Sequence, residues 1–339
     1  MNRRSLLGAA SLAATGALAL HQTLRRHIPQ RRRPRSRVAV LRCHSYQHAA
    51  QVVWDGLRLL RPHVAGKRIL LKPNLVEYSP SACINTHPTL IAAAAEALYR
   101  LGARTVLVGD GPGHVRDTAL LLEESGLRDA LHSIGRTRFI DLNFDRVHAV
   151  RTQTALTTLN ELWLPESLLA ADIVISMPKI KTHHWAGVTL SLKNLFGAVP
   201  GAVYGWPKNT LHWQGIDNSI VELAATIPVH YVIADGIEAM EGNGPLHGPA
   251  RHLGCIVFAN DPLAADSACC SLMNINPHSI RHLNQAAPLG NLDPNHWDHL
   301  GEPIAALRQT FQPPPRMQFA RVGFATTSRS AATRSISPR

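Results

Sequence analysis

The stretch "ADIVISMPKIKTHH", residues 171–184, decides the fold. Its first half is a continuous apolar run rich in β-branched residues, with no alternating polar face. Such a strand is buried on both sides, as in a parallel sheet covered by helices. Pro178 is expected to stop it, because proline cannot donate to a ladder. A polar cluster, Lys179-Ile180-Lys181-Thr182-His183, follows at once.

The same order recurs on either side. "RILLKPN" (68–74), "ARTVLVGDGPG" (103–113), "VHYVIADGIEAMEGNGP" (229–245) and "CIVFAND" (255–261) each run from apolar strand to polar turn. Helical patterns lie between them, such as "HAAQVVWDGLRLL" (48–60) and "HPTLIAAAAEALYRLG" (87–102). In the second, Pro88 suits the first turn and Gly102 the C-terminal stop. The expected fold class is α/β, a mostly parallel sheet with helices on both faces. The shorter alternating segments of "RVHAVRTQTALTTLNELWLPESL" (146–168) read as an inserted hairpin subregion. Three parts are expected: residues 1–36 as a signal or anchor with a basic linker, 37–312 as the α/β domain, and 313–339 as a disordered basic tail.

The net charge of +12 belongs to the ends of the chain. Residues 1–37 carry nine arginines and residues 314–339 five, with no acid in either. Setting these 14 aside from the 35 basic residues leaves 21 against 23 acidic ones. The body is near neutral and lacks interleaved aromatic and basic residues, so no nucleic-acid partner is expected. "MNRRSLLGAASLAATGALAL" (1–20) resembles a twin-arginine export signal, with Leu6 where the pattern prefers Phe and Ala17-Leu18-Ala19 as a small-x-small cleavage site. Export to the periplasm is expected, either cleaved or held at the membrane through the N-terminus. The five cysteines show no CxxC spacing, so no iron–sulfur cluster is expected.

In open parallel sheets, ligands bind beyond the carboxyl ends of the strands. Five apolar runs end in polar clusters there: Lys72-Pro73-Asn74, Asp110-Gly111-Pro112-Gly113, Lys179 to His183, Asp235 with Glu238, Glu241 and Asn243, and Asn260-Asp261. Together, "LLKPNLV", "THPTLI", "GARTVLVGDGPG", "ADIVISMPKIKTH", "SLKNLFGAVPG", "ADGIEAMEGNGP" and "FANDPLAADS" resemble the bacterial and archaeal family called domain of unknown function 362, over roughly residues 38–275. The resemblance implies little about activity. Many relatives carry an appended ferredoxin-like segment with cysteine-rich motifs, which this sequence lacks, so the redox label is not carried over.

The lysines supply the sharper clue. Only six of the 35 basic residues are Lys, and Lys179, Lys181 and Lys193 fall within fifteen residues. Lys is a compact ammonium that can lose its proton when buried, whereas Arg is a wide fork that stays charged. Lys72, Lys179, Lys181 and Lys193 are candidates to hold a phosphate or carboxylate, with Asn74 and Asn194 fixing it by directional hydrogen bonds. Gly111 and Gly113 would let backbone N–H groups approach. Asp110, Asp235, Glu238 and Glu241, with Asn243 in the "MEGNGP" turn, could supply a general base or oxygen ligands for a divalent cation. His183, Lys181 and Asp235 are the candidate catalytic groups. For His183, metal ligation, acid–base work and a structural role all stay open. A zinc would need His87, His114 or His212 as well, since His183 and His184 on an extended segment should point to opposite faces. "VYGWPKNTLHWQG" (203–215) reads as a lid, with Tyr204, Trp206 and Trp213 excluding water while Lys208 and His212 face the site. The leading expectation is an enzyme acting on a small anionic substrate or cofactor. A non-catalytic anion-binding protein and a redox-partner subunit are the alternatives.

Overall fold

The structure, a computed structural model, describes residues 33–113, 117–315 and 317–322. The expected signal over residues 1–36 therefore lies almost wholly outside the described residues, as does His114. The backbone of the domain is a ten-stranded sheet. Its strands are β1 (Ser36–Arg42), β2 (Arg68–Pro73), β3 (Thr105–Asp110) and β4 (Arg138–Asp141), then, beyond the hairpin described below, β7 (Ile173–Met177), β8 (Lys179–His183), β9 (Gly187–Thr189), β10 (Tyr231–Met240), β11 (Ala250–Ala259) and β12 (Trp297–Gly301). The main order is β12-β1-β11-β10-β7-β2-β3-β4. Most neighbours are parallel; β11 runs against both β1 and β10. Residues 146–168 form the expected hairpin, β5 (Val147–Arg151) against β6 (Glu161–Pro165), as a separate antiparallel pair.

Both faces of the sheet are covered, and the sequence of β7 shows it residue by residue. Ile173, Ile175 and Met177 enter one core with helices α1 (Ala49–Leu60) and α2 (Pro88–Arg100). Val174, between them, enters the opposite core, alongside Leu70 of β2. In α1 the buried positions Val53, Gly56, Leu57 and Leu60 follow the spacing of a single helical face. His87 caps α2, its side chain accepting from Thr89 N, and Pro88 occupies the first turn as expected.

One element departs from expectation. Pro178 does end β7, but the chain re-enters the sheet immediately as β8. The reason lies in β10, which outruns β7 and carries a bulge between Gly236 and Glu238. Its exposed half would be left with unpaired backbone groups; β8 pairs with it, Asp235 opposite Lys179 and Met240 opposite Lys181. "KIKTH" is thus a fully buried strand rather than a surface loop. Beyond residue 312, on the tail side of the expected boundary, the chain still touches the body: Asn276 N donates to Ala320 O at 2.6 Å, and Phe319 packs on the core.

Gly56 gives a test of how closely α1 lies on the sheet. A Cβ there would fall on the ring of buried Phe258. The helix-propensity gain of Gly56→Ala is roughly 1 kcal/mol, while overpacking costs roughly 1–3 kcal/mol. The variant is expected to unfold at lower urea than wild type with an unchanged slope.

Candidate functional site

The carboxyl ends of β2, β3 and β7 meet the middle of β10, which runs on past the expected strand end at Asp235: Lys72 pairs with Ser176 and Pro73 with Met177, while Asp235 sits opposite Lys179. Asp110 ends β3 beside them. Two ion pairs are buried here. Lys72 Nζ contacts Asp110 Oδ1 at 2.7 Å, and Lys179 Nζ contacts Asp235 Oδ2 at 2.8 Å.

Both pairs are tied further into the protein. Lys72 Nζ donates also to Pro73 O at 2.9 Å and Asn194 Oδ1 at 3.2 Å, which uses all three of its hydrogens. Asp110 accepts from Gly111 N at 2.8 Å and Leu75 N at 2.7 Å as well. Asn194 is held in turn by Lys72 O and Ser176 Oγ. Burial pulls Lys72 down and Asp110 up, and each is the other's main compensation. In the second pair, Lys179 Nζ donates to Tyr46 Oη at 2.8 Å, and that hydroxyl donates to Asp235 at 3.0 Å. His87 N donates to Asp235 too. Burial first and the Asp235 charge second push the Tyr46 hydroxyl up, so it stays a donor. Lys179 is raised despite its burial, chiefly by the Asp235 charge.

These contacts correct several expectations. Lys72, Lys179, Asn194 and Asp235 are scaffold; their polar atoms are spent within the protein and do not reach a ligand. Asp110 touches the cavity described next, but its carboxylate is saturated. The Gly111 N–H, expected to approach an anion, is taken by Asp110 and by Gly197 O at 2.8 Å. Glu241 lies outside the cavity, holding Gln312 N at 2.9 Å and facing Arg251. Asn243 is exposed, and Glu238 pairs with His252 at 2.6 Å. The acids expected for a divalent cation are therefore committed elsewhere, and among the described residues no group of three His, Cys, Asp or Glu is placed to hold a metal.

Over this scaffold lies a cavity of about 260 Å³. Lys181, Lys193 and Lys208 reach it, with His183 and His212, and Asn74 and Gly113 complete the expected members. Among the described residues, none of the three lysines has a carboxylate partner in an ion pair. Lys181 Nζ donates to Ile84 O at 2.7 Å and Pro245 O at 3.4 Å. Lys208 is buried against Asn143 Oδ1. Lys193 lies 3.7 Å above the Phe196 ring, with no hydrogen-bond acceptor. Burial pushes all three ammonium groups down to about 7, helped at Lys181 by the Lys179 charge and at Lys193 by the Lys72 charge. The ring face under Lys193 opposes this by about 0.5–2 kcal/mol. Two buried acceptors lining the same space, Asn74 Oδ1 and Thr189 Oγ1, have no partner.

Backbone contacts assign the histidine tautomers. His183 Nδ1 accepts from Trp185 N at 3.0 Å and Ala186 N at 3.2 Å, so the ring's proton is on Nε2. His212 Nδ1 faces Lys208 O at 3.1 Å; a carbonyl only accepts, so Nδ1 carries the proton and Nε2 a lone pair. Burial and the Lys193 charge lower both rings, which are neutral at pH 7. The expectation that His183 and His184 point apart is overturned: β8 ends at His183, the chain turns, and the rings stack with centroids 5.1 Å apart. The lid expectation holds in part. Lys208 and His212 line the cavity, with Trp185 stacked on His212 at 5.2 Å. Trp213 is 80% exposed instead, and Tyr204 Oη accepts from Trp163 N.

Sequence reasoning overlooked three supports. Asp266 accepts from Ser191 N at 2.6 Å and Leu192 N at 2.9 Å, fixing the turn of helix α3 (Ser191–Asn194) that presents Lys193; burial pushes its carboxyl up to about 8. As the one acid of the apolar helix α5 (Pro262–Leu272), it was visible as an anomaly. Asn143 and Tyr46 carried no such signal. Gly197 is glycine because a Cβ would collide with Asp110 Oδ1 and Lys72 Nζ.

A family described as "Domain of unknown function (DUF362)" matches residues 69–271. The "Thylakoid-associated protein sll1697" of Synechocystis sp. is 31% identical over 269 residues, covering 75% of this chain and 79% of the relative. The chain belongs to the domain of unknown function 362 family. Among solved structures, the lactate racemase apoprotein from Thermoanaerobacterium thermosaccharolyticum superposes at TM-score 0.44 with 10% identity, covering 71% of this chain and 58% of that one. A Thermotoga maritima protein gives 0.42 and 12%, covering 68% and 59%. The chain thus spans under two thirds of each, and likenesses this loose carry nothing about the site.

Paired and unpaired lysines should respond oppositely to removal. Lys72→Met leaves Asp110 buried and uncompensated, an expected loss of roughly 3–5 kcal/mol. Lys193→Met removes an unpaired charge from a half-buried position and is expected to melt no lower than wild type. Urea unfolding of the two variants checks the contrast.

Proposed function

We propose that the protein is an enzyme acting on a small anionic substrate, a carboxylate or phosphate compound, held in the cavity at the carboxyl edge of the sheet. One observation carries this reading. Of five buried or half-buried lysines at this edge, two are neutralised by carboxylates and three converge on the cavity with none. Holding three unpaired ammonium groups together in an apolar wall is costly unless a ligand supplies the missing charge.

The histidines give the site more than a binder needs. Neutral His183 offers an Nε2–H donor to a developing negative charge, while His212 Nε2 can accept a proton. Both flank Lys193, whose protonation lies near neutrality, the condition under which proton transfer is most effective. Trp185 and Phe196 keep the walls apolar, which strengthens each charge-assisted contact.

Lys181→Met and Lys208→Met are each expected to weaken binding of the bound anion by roughly ten- to a hundredfold, the loss of one charge-assisted hydrogen bond. Titration calorimetry with phosphate and pyruvate measures this. Binding favours the protonated lysines, so the complex takes up protons. Affinity should be highest below pH 7 and fall as pH rises through about 7, where Lys181, Lys193 and Lys208 lose theirs. Binding unchanged in both variants and flat from pH 6 to 9 would sink the anion reading.

The twin-arginine route for residues 1–36 is part of the same proposal, supported by Arg3-Arg4 and by a relative described as thylakoid-associated. No helix among the described residues is long and apolar enough to cross a membrane. A reporter fused to residues 1–36 should be exported by that route and retained when Arg3 and Arg4 are both replaced by Lys.

A further inference from the structure

We propose that Lys193 is a nucleophile that forms an imine with the carbonyl carbon of a small substrate carrying an anionic group. The inference deepens the anion-site reading and rests on it.

The geometry separates Lys193 from its neighbours. Lys181 is tied to two backbone carbonyls and Lys208 to a side-chain amide oxygen. Such acceptors occupy the donors and hold both side chains in place, so both are positioned to bind the anionic group while Lys193 is left free. Lys193 has no acceptor of any kind, only the Phe196 ring. It shares the cavity with a donor imidazole, His183, and an acceptor imidazole, His212, both near enough for its charge to lower them, and its backbone is pinned through Asp266. Among the described residues, the titratable groups that share its cavity are Lys181, Lys208, His183, His184, His212 and Asp110, with Lys72 near enough to act on its charge. Asp110 is saturated by its own contacts. No carboxylate is available to hold Lys193 protonated, and burial with the Lys72 charge favours the free amine. An amine at that position is the activated form for attack on a carbonyl.

The step balances without a co-reactant. The free amine of Lys193 adds to the carbonyl carbon, and the π pair moves to the oxygen, which the His183 Nε2–H stabilises. His212 Nε2 accepts the two protons of the nitrogen in turn and returns each to the oxygen, first giving the hydroxyl and then the water that leaves. Over the whole step the two amine hydrogens and the carbonyl oxygen depart as water, C=N replaces C=O, and nothing is oxidised or reduced. The positive iminium formed on protonation sits beside the substrate's own anionic group, which offsets it.

Reductive trapping tests this on the full chain. Wild-type protein and Lys193→Met are incubated with cyanoborohydride and one of three carbonyl probes. Pyruvate carries a carboxylate, glycolaldehyde phosphate a phosphate, and propionaldehyde no charge. Peptide mass mapping then locates the adduct. Lys193 should be labelled by at least one anionic probe, at a rate exceeding that of exposed Lys67 by about tenfold or more. Whichever anionic probe labels faster identifies the group the cavity takes. Labelling should vanish at that peptide in Lys193→Met. If phosphate binds in calorimetry but no probe labels Lys193 ahead of Lys67, the imine is overturned and the anion site stands. If only propionaldehyde labels Lys193, the anionic substrate class is overturned, and with it the anion reading of the cavity.

Discussion

The buried contact between Lys72 and Asp110 is the constraint on which the rest of this edge depends. It joins the ends of β2 and β3, and the Lys72 ammonium extends it to Asn194 on α3. Asn194 in turn holds β2 and β7 through Lys72 O and Ser176 Oγ. Gly197 passes close enough over the pair that only glycine fits. Four elements distant in sequence are locked by one charge pair and its hydrogen bonds. A buried pair is weak evidence for net stability, because desolvation consumes most of its Coulombic gain. Its effect is directional: any shift of α3 would strand an ion in a medium that cannot solvate it. The cavity floor is rigid for that reason.

Three lysines stand over the rigid floor with no carboxylate to neutralise them. The contrast is informative because both groups share one environment. Where a lysine has an acid beside it, its polar atoms are consumed and it becomes structure. Where it has only carbonyls, an amide or a ring, its charge remains available. The same burial that makes these charges costly brings their protonation to about 7. A site can therefore hold an anion with some lysines and retain a free amine on another. Stability and function pull in opposite directions at such positions.

Membership of the domain of unknown function 362 family accounts for the order of the motifs but not for their division of labour. The motifs "LLKPN", "MPKIKTH" and "SLKN" each contribute a lysine to this edge, and each lysine lands in a different electrostatic setting. Lys72 and Lys179 are paired. Lys181, two residues from Lys179 on the same strand, is not, since an alternating pleat would give them the same face and the bulge in β10 separates their partners.

Read alone, the order of amino acids dictates the architecture and the edge at which polar residues gather. Continuous β-branched runs such as "ADIVISM" demand burial on both faces, and each run ends in a polar turn, so a parallel sheet brings Lys72, Asp110, Lys179 and Asp235 to one rim. It also singled out the scarce lysines, His183 and the segment containing Lys208 and His212. It did not reveal which polar residues face each other. Asp235 and Lys181 read alike as catalytic candidates, yet Asp235 is saturated by Lys179, Tyr46 and His87, contacts that span as many as 189 positions of chain. Nor did it show that "KIKTH" is a strand, because that depends on the unpaired half of β10. Residue type and local period are properties of a few consecutive side chains. Whether a charge is neutralised, and which histidine nitrogen carries the proton, depends on partners that only the folded chain brings within 3 Å or so.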